Sequence, residues 1–587
     1  MAVYYSCCRG LCTIVACFVV MAVLTVGSDA VVVSTTYGDV RGSEVKTSSV
    51  VRNALFDSVF TFKGIPYAAP PVGDLRWRPP QNPSSWTGVR DAIEFGSKCP
   101  QVTMDFEEYG LTDPIFKEVL YSRINSTSED CLVLNVYTPK VSSTSNLPVM
   151  VWIHGGGIIV GSADTYPAEI PTALHNVVMV TINYRVGNLG FLPTRDDDAP
   201  GNFGLLDAIK ALQWVQSNIR NFGGDPDRVT IFGESGGGWA VSLLVMSPMA
   251  TGLFHRAISQ SGVAGLPITQ RGDIRRMEEL ARGCDCPTSS YDEMMSCLRG
   301  KPGEEVAVVI GDIAFFMNAS VVVGDKFLPE SPWDLMNKRQ VNQVDYLLGT
   351  NINEYGYQSA GTIVLDEDGM TRSEFDEIIP TDLLWFTGQF LGGDANAVVQ
   401  AVTDQYLDPD SPDDPITTRD QYGQLLTDMW FTAPTVLMAQ AAAAHPVRVY
   451  QYEFQHRSSY FDYRPPRVQA DHGDDLFYMF GITLMPDDTG NSWKYNFTDE
   501  ERELSLDMMA YWVNFAANGD PNDSTGAARV RHTVNWPRYS ASSQEYLKLD
   551  VPSSADVKIR ETRMKFWNEE VPKFLGKTVR MARSDEL

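Results

Sequence analysis

The chain is poor in basic residues: 47 lysines and arginines stand against 74 aspartates and glutamates, which gives a formal net charge of −27. A nucleic-acid partner is therefore not expected, because phosphate binding needs clustered Lys and Arg. Long apolar runs are also missing after residue 30, so we expect no later segment to span a bilayer. There is no internal repeat. The 44% hydrophobic and 21% charged residues among 587 instead indicate a soluble globular protein with a large core.

The long apolar stretch that does occur lies at the amino terminus, from about residue 11 to residue 26, after Arg9. A basic residue, an apolar run and the small residues Ser28 and Ala30 are typical of a cleaved secretory signal. The run approaches membrane-spanning length, so an uncleaved anchor is the alternative. We expect cleavage, with residues 1–30 as the signal peptide.

Cysteine is scarce after the signal, where five of the nine remain: Cys99, Cys131, Cys284, Cys286 and Cys297. In the oxidising compartment that a signal implies, two bridges and one leftover thiol are expected. Four N-glycosylation sequons fit the same compartment, at Asn125, Asn318, Asn496 and Asn522.

Short β-forming runs without polar alternation recur at residues 132–137, 149–153, 177–184, 229–232, 346–348 and 447–454. Such runs predict strands that are buried on both faces. Helical patterns alternate with them, which predicts an α/β fold with a large, mostly parallel central sheet flanked by helices. We expect the insertions 264–342 and 359–446 to form a helical cap, and the stretch around His255 looks helical. A capping box at residues 498–501 predicts a long helix that Gly519 ends.

Residues 233–237 read G-E-S-G-G and lie between the predicted strand 229–232 and a helical pattern. This is G-x-S-x-G in its structural setting of strand, sharp turn and helix, which exposes the serine hydroxyl above a sheet. Gly233 and Gly237 are small enough to let strand and helix pass. We therefore predict that Ser235 is a nucleophile, although an isolated match is more often a structural glycine turn.

A serine is a poor nucleophile until a base takes its proton. In this arrangement the acid and the histidine follow the serine in the chain. Among seven histidines, His472 lies in a polar loop after the last predicted core strand, and we expect the other six to be packed or on the surface. Glu354 follows the strand 346–348 on another strand-end loop and is the predicted acid, which orients the imidazole. Asp474 and Asp475 are the alternatives.

Residues 154–157 read H-G-G-G and follow the predicted strand 149–153. This element supplies backbone N–H groups to the oxyanion hole of esterases. We predict Gly156 and Gly157 as donors, together with the amide of Gly236. One such donor is worth roughly 2.7–4 kcal/mol in the transition state. A flexible glycine turn is the alternative, and the order strand, HGGG, strand and elbow argues against it.

Beyond these elements, the sequence resembles the type-B carboxylesterase and cholinesterase family over nearly the whole mature length. The similar segments are KGIPYA at 63–68, PVGDLRWRP at 71–79, SEDCLVLN at 128–135, GNFGLLD at 201–207, GGDP at 223–226, DHGD at 471–474 and NFAANGDPN at 514–522. The resemblance implies an α/β-hydrolase fold with Ser235, Glu354 and His472 as a catalytic triad, and a supporting serine at Ser261. It also implies the bridges Cys99–Cys131 and Cys286–Cys297, although Cys284 and Cys286 could exchange roles.

Two positions depart from the family pattern. Relatives usually have Ala where this chain has Gly236, which keeps the amide donor on a looser backbone. Cholinesterases stack the quaternary ammonium on a Trp where an ungapped count gives Tyr121, a weaker cation–π platform. The sequence therefore looks more similar to general carboxylesterases than to choline-specific ones.

Together these features predict a serine carboxylic ester hydrolase that acts on small neutral esters through an acyl-enzyme at Ser235, without metal or cofactor. A cholinesterase and a non-catalytic, cholinesterase-like adhesion protein are the alternatives. We expect one catalytic domain over residues 31–570 and a tail over residues 571–587, with no stable membrane anchor after signal cleavage. The tail ends in S-D-E-L, which resembles an ER-retention signal. Residence in the ER lumen through a KDEL-type receptor is expected, with secretion as the alternative.

Overall fold

The computed structural model describes residues 31–51, 53–102, 124, 126–196, 200–264, 268–270, 272–309, 321–357, 368–388, 395–407, 413–486, 497–525 and 534–579. Several predicted features lie outside the described residues: the signal, Tyr121, three of the sequons (Asn125, Asn318 and Asn496), and the S-D-E-L end.

The described strands are β1 (Val31–Thr35), β2 (Gly38–Lys46), β3 (Ser58–Pro66), β4 (Val89–Asp91), β5 (Val133–Thr138), β6 (Leu147–Ile153), β7 (Val178–Ile182), β8 (Gly224–Glu234), β9 (Arg256–Gln260), β10 (Ile268–Gln270), β11 (Val321–Val323), β12 (Asp345–Asn351), β13 (Val449–Phe454), β14 (Glu545–Leu549) and β15 (Ser554–Val557). Thirteen form one sheet in the order β1-β2-β3-β5-β7-β6-β8-β9-β12-β13-β14-β15, with β4 beside β2. From β7 to β14 the neighbours are parallel, and the outer pairs are mainly antiparallel.

The described helices are α1 (Glu169–Leu174), α2 (Gly187–Phe191), α3 (Phe203–Asn218), α4 (Gly236–Met246), α5 (Arg275–Gly283), α6 (Tyr291–Gly300), α7 (Gly303–Ala307), α8 (Pro332–Asn337), α9 (Arg372–Gly388), α10 (Ala395–Tyr406), α11 (Pro415–Thr427), α12 (Ala433–Ala443), α13 (Asp475–Met479), α14 (Asp499–Asn518), α15 (Glu561–Lys565) and α16 (Val571–Phe574). Short π-helical segments join α11 to α12 and α15 to α16.

The central strands bury alternate side chains in two cores. In β6, Val151 belongs to one core and its neighbour Trp152 to the other. Helices α3, α4 and α12 contribute to the first core, and α1, α13 and α14 to the second. Because helices cover both faces, these strands need no polar alternation. The predicted α/β architecture with a large, mostly parallel sheet flanked by helices is confirmed.

All six predicted core strands are present, with ends that differ by a few residues, but β9 was missed. This strand lies between β8 and β12, and the stretch after His255 is therefore extended, not helical as expected. Only four of its residues are fully buried. A run this short shows neither the period of a strand nor that of a helix, so the sequence could not decide between them.

The two insertions are mainly helical but build small cores of their own. The segment 264–342 holds α5 to α8 and the parallel pair β10–β11. The segment 359–446 contributes α9 to α12, and their buried side chains pack in a third core with the carboxyl-terminal Trp567 and Val571. Packed structure therefore continues past residue 570, where the sequence placed the start of the tail. The four residues of α16 are too few to show a helical period.

The long helix α14 begins and ends as predicted. The Thr498 hydroxyl accepts from the amide of Glu501 at 3.2 Å, and the Glu501 carboxylate accepts from the amide of Thr498 at 2.6 Å. Gly519 ends the helix with a left-handed φ of 70°, which suits a residue without Cβ.

Two disulfides join Cys99 to Cys131 and Cys286 to Cys297, the pairs that the resemblance implied. Cys284 is the leftover thiol and is buried. Among the helices of the described residues, none is both long enough and apolar enough to cross a membrane.

Candidate active site

The turn between β8 and α4 places Ser235 in a strained conformation. Its φ is 55° and its ψ is −124°, a region that a residue with a side chain rarely adopts. A Cβ at Gly233 would lie 2.6 Å from the backbone of Gly237, and a Cβ at Gly237 would collide with the carbonyl of Ile153 on β6. Both glycines are therefore required by close backbone approach, as predicted. Ser235 itself is half-buried, so its hydroxyl is accessible above the sheet.

The loops that follow β12 and β13 bring Glu354 and His472 together. Nδ1 of His472 lies 2.6 Å from Oε2 of Glu354, whose side chain is fully buried. The amide of Asn351 donates to the other Glu354 oxygen, Oε1, at 2.6 Å, and the side chain of Asn351 donates to the carbonyl of Asp471 at 2.5 Å. These bonds join the two loops and hold the carboxylate against one ring nitrogen.

Asp474 and Asp475, the alternative acids, are engaged elsewhere. The Arg464 guanidinium contacts Asp474 at 2.7 Å, with both side chains buried. Asp475 accepts from Gln260 at 2.8 Å and from the Tyr452 hydroxyl at 3.0 Å. Neither carboxylate is hydrogen-bonded to His472 within the described part of the chain, so Glu354 is the acid that the geometry favours.

Sequence reasoning missed Glu234, the residue before Ser235. Its Oε1 lies 3.3 Å from Nε2 of His472, on the side of the ring opposite Glu354. A Cβ at Gly155 would lie 3.0 Å from the Glu234 carboxylate and 3.3 Å from Cβ of Ser235. The serine, the imidazole and the HGGG loop therefore share one corner with this second carboxylate. The variable position of G-x-S-x-G carried no signal for such a role.

Several carboxylates compete for one cation in this corner. Burial raises the pKa of Glu234 to about 8, opposed by His472 and reinforced by the charges of Asp475 and Glu354. Burial alone would lower the pKa of His472, but the Glu234 charge and the hydrogen bond to Glu354 raise it. Burial likewise raises the pKa of Asp475 to about 6. The pKa values of Glu234 and Asp475 thus lie closer to neutral pH than those of ordinary carboxylates, and the surrounding carboxylates favour the protonated form of His472.

The HGGG loop lies close to the turn that carries Ser235. Gly156 and Gly157 have φ values of 96° and 62°, in the left-handed region that favours glycine. A Cβ at Gly236 would lie only 2.8 Å from the amide nitrogen of Gly157 and 2.6 Å from that of Ile158. Within the described residues, the amides of Gly156, Gly157 and Gly236 donate no hydrogen bond. Gly236 therefore lets the loop approach closely, and the amide nitrogen of Gly157 lies near the start of α4.

The remaining histidines have other environments. Burial lowers the pKa of His154 to about 4, and its ring stacks on Tyr184 with centroids 4.3 Å apart, so it supports the loop as a neutral side chain. The other histidines are packed or bonded away from the corner: His175, His255, His445 and His456, while His532 lies outside the described residues. His472 is the histidine that the structure places beside Glu354, as predicted from its loop.

Two further predicted residues have informative surroundings. Ser261 is fully buried with a φ of 44°, and its hydroxyl has no partner among the described residues. The side chain of Asn522 donates to Asp520 and to the carbonyl of Trp536, and accepts from the amide of Trp536 at 2.7 Å. Because the Asn522 amide is already used in this way, the structure disfavours a glycan there.

Comparison with known proteins agrees with this geometry. Residues 29–567 match the family described as "Carboxylesterase family". The chain is 40% identical to pyrethroid hydrolase Ces2e of Rattus norvegicus over 542 residues, which cover 91% of this chain and 89% of the relative. It is 39% identical to cocaine esterase of Homo sapiens over 525 residues, 88% of each chain. It is 36% identical to liver carboxylesterase 1 of Oryctolagus cuniculus over 557 residues, 92% of this chain and 93% of the relative.

The serine turn joins a strand of the parallel sheet to a helix and lies next to the HGGG loop. The family match covers nearly the entire chain. The resemblance and the α/β-hydrolase fold predicted from sequence are both confirmed. The chain belongs to the carboxylesterase family and is a carboxylic ester hydrolase.

Proposed function

We propose that this enzyme cleaves neutral carboxylic esters through an acyl-enzyme on Ser235, with His472 as base and Glu354 as the acid that orients it. The observation that carries the proposal is the 2.6 Å contact between His472 Nδ1 and the buried Glu354 carboxylate. This contact places the imidazole proton on Nδ1, so that Nε2, on the other side of the ring, is the nitrogen that accepts a proton.

In the first half-reaction, His472 takes the proton of the Ser235 hydroxyl while Oγ attacks the ester carbonyl carbon. The carbonyl oxygen becomes negative and is stabilised by the amides of Gly156, Gly157 and Gly236. When the carbon–oxygen bond to the alcohol breaks, the imidazolium returns its proton to that alcohol. In the second half-reaction, His472 takes a proton from water, hydroxide attacks the acyl carbon, and Ser235 leaves with the proton as the carboxylic acid departs.

Labelling with an organophosphate tests this assignment. We expect diethyl p-nitrophenyl phosphate to release one p-nitrophenol per chain, abolish hydrolysis of p-nitrophenyl acetate, and add a diethylphosphoryl group to the peptide that contains Ser235. The Ser235→Ala variant should fold, remain unlabelled and lose activity by about 10⁴-fold or more. Labelling at another residue, or full activity in the variant, contradicts the proposal.

Neutral esters are the proposed substrates because the sequence is more similar to general carboxylesterases than to choline-specific ones. An ungapped count gives Tyr121 where cholinesterases stack the quaternary ammonium on a Trp. Among the relatives, the names pyrethroid hydrolase and cocaine esterase describe ester cleavage by those proteins. We expect p-nitrophenyl butyrate to have a higher kcat/KM than butyrylthiocholine, and the reverse order would favour a cholinesterase.

We also propose one catalytic domain from residue 31 onward, located in the lumen of the ER. The support for one domain is the continuous sheet from β1 to β15 and the core that includes Val571. The two disulfides fit an oxidising compartment. Deleting residues 584–587 should move the glycosylated protein from cell lysate to medium, whereas equal secretion of both forms contradicts retention by S-D-E-L. Glycans at Asn125, Asn318 and Asn496 remain predictions that peptide mapping of the same material checks.

A further inference from the structure

A pocket of about 660 Å³ lies between the turn at Gly73 and Asp74, the segment Thr194 to Asp196, and helix α6. Its lining includes none of the triad or oxyanion residues. This volume is within the range of small-molecule sites, roughly 300–1,000 Å³. The buried side chains of Trp77 and Met295 form part of the wall, so the pocket offers apolar surface as well as polar groups.

Three arginines line this pocket, although the chain as a whole carries a net charge of −27. Arg78 forms an ion pair with Asp196. The guanidinium of Arg195 lies 5.5 Å from the ring centroid of Tyr291. Among the described residues, Arg299 donates only through Nε, to a backbone carbonyl at 3.4 Å. Within the described residues, neither Arg195 nor Arg299 forms an ion pair.

Arg299 is the less solvated of these two cations. It is half-buried, and burial together with the charge of Arg78 lowers its pKa, opposed by the more weakly acting charges of Tyr291 and Asp74. A half-buried guanidinium that forms no ion pair is costly unless something else pairs with it. Its Nη groups make no hydrogen bond within the described residues, and the fixed fork of a guanidinium fits two oxygens of one planar anion.

The charge of the pocket limits the anion that it can take. Asp74, Asp196 and Asp292 also line it, so three aspartates balance three arginines. Asp196 is paired, whereas Asp74 and Asp292 are exposed residues. An ion with one negative charge can pair with Arg299 while it is repelled only weakly by the two exposed aspartates. Because three aspartates offset three arginines, a second negative charge gains no net attraction from the lining as a whole, while the stronger hydration of a phosphate dianion must still be lost.

We propose that this pocket binds small organic monocarboxylates, with Arg299 and Arg195 holding the carboxylate and Trp77, Tyr291 and Met295 packing on the apolar part. The proposal concerns a second site, and it holds whether or not Ser235 is the nucleophile.

Isothermal titration of the mature chain with sodium benzoate tests the proposal, before and after organophosphate treatment to fill the catalytic corner. We expect saturable binding at millimolar concentrations that survives the treatment. Benzamide has the same shape without the charge and should not bind, and phenyl phosphate should bind more weakly than benzoate. Absence of benzoate binding, equal binding of benzamide, or tighter binding of phenyl phosphate each overturns the proposal.

Variants locate the site. Arg299→Gln should raise the Kd of benzoate about tenfold or more, because it removes a charge-assisted pair. Arg195→Gln should raise the Kd of benzoate several-fold, and this variant tests the site if Arg299→Gln does not fold. Asp74→Asn should lower the Kd, an opposite sign that general loss of structure does not produce. Arg90→Gln is the matched control, since Arg90 also lies over an aromatic ring but belongs to β4 and does not line the pocket. Wild-type affinity in both arginine pocket variants overturns the assignment.

Discussion

Two buried clusters of charged side chains in this enzyme differ in their ratio of acidic to basic groups: one has an excess of carboxylates, and the other has equal numbers of both. The acidic corner (Glu234, Glu354, Asp475 and His472) surrounds one imidazole with carboxylates.

The arginine clasp (Asp428, Glu453, Arg560 and Arg563) instead pairs each acid with a guanidinium. Arg560 contacts Asp428 at 2.8 Å and Glu453 at 2.7 Å, and Arg563 contacts Asp428 at 2.9 Å. These contacts join the π-helical segment before α12 to strand β13 and to α15. The clasp therefore fixes the carboxyl-terminal helices to the sheet.

The difference shows how one fold uses buried charge for two purposes. In the acidic corner burial, reinforced by the neighbouring carboxylates, raises the pKa values of Glu234 and Asp475 to about 8 and about 6. In the clasp each acid is paired with a guanidinium. Removing a charge should thus change chemistry in the corner and stability in the clasp.

The largest expected effect is on chemistry, from Glu354→Gln in the acidic corner. A neutral amide keeps the shape of the side chain but does not stabilise the imidazolium, so kcat should fall about 10⁴-fold. The thermal midpoint should change little, because the fold does not depend on this charge. Steady-state hydrolysis of p-nitrophenyl acetate measures the loss. Glu374→Gln, an exposed carboxylate on α9, is the control, and a loss below about tenfold in Glu354→Gln would assign the acid elsewhere.

The next effect is on stability, from Asp428→Asn in the clasp. This change leaves Arg563 without its acidic partner and Arg560 with Glu453 alone, and breaking a buried pair costs about 3–5 kcal/mol. The urea midpoint followed by tryptophan fluorescence should fall clearly, while kcat of the folded enzyme stays near wild type. Asp499→Asn is the control, because Asp499 is 97% exposed. Equal midpoints for the two variants would show that the clasp does not stabilise the fold.

The sequence could predict the acidic corner only in part. Ser235, the glycines of the HGGG loop and the strand-end loops of Glu354 and His472 are local features, and each was readable from a motif or from its place after a strand. Glu234 was not, because its role depends on a contact with His472 across more than two hundred residues of chain.

The clasp was not predicted at all. Asp428 and Arg560 are two among many charged residues, and no local pattern shows which of them become buried together. The strand β9 was missed for a related reason, since its identity comes from its neighbours in the sheet and not from its own period. What the sequence lacks in these cases is information on long-range packing.

His175 represents a third kind of buried polar group, one that is neutral and belongs to neither cluster. His175 is buried, neither ring nitrogen has a partner among the described residues, and burial lowers its pKa to about 4. The unfolded chain binds a proton near pH 6.5, so stability should fall as the pH drops from about 6.5 towards 4, by up to about 1.4 kcal/mol per unit. The His175→Leu variant has no imidazole to protonate, so it should not show this loss of stability. Relative to wild type, its free energy of unfolding should therefore rise by about 2 kcal/mol when the pH falls to about 5. Urea midpoints at pH 8 and pH 5 measure it, and a parallel decline in both proteins contradicts the expectation.

The smallest and most specific effect is a shift in pH dependence from Glu234→Gln. His472 must be neutral to act as base, and the charge of Glu234, 3.3 Å from Nε2, raises its pKa. Removing that charge lowers the pKa of His472, so the acidic limb of the kcat/KM profile should move to lower pH by about one unit. Asp475→Asn is the graded control. Asp475 is bonded to Gln260 and Tyr452, so its loss should move the limb less. A limb that stays in place, or moves to higher pH, would mean that Glu354 alone sets the protonation of the base and that the excess of acid in this corner serves another purpose.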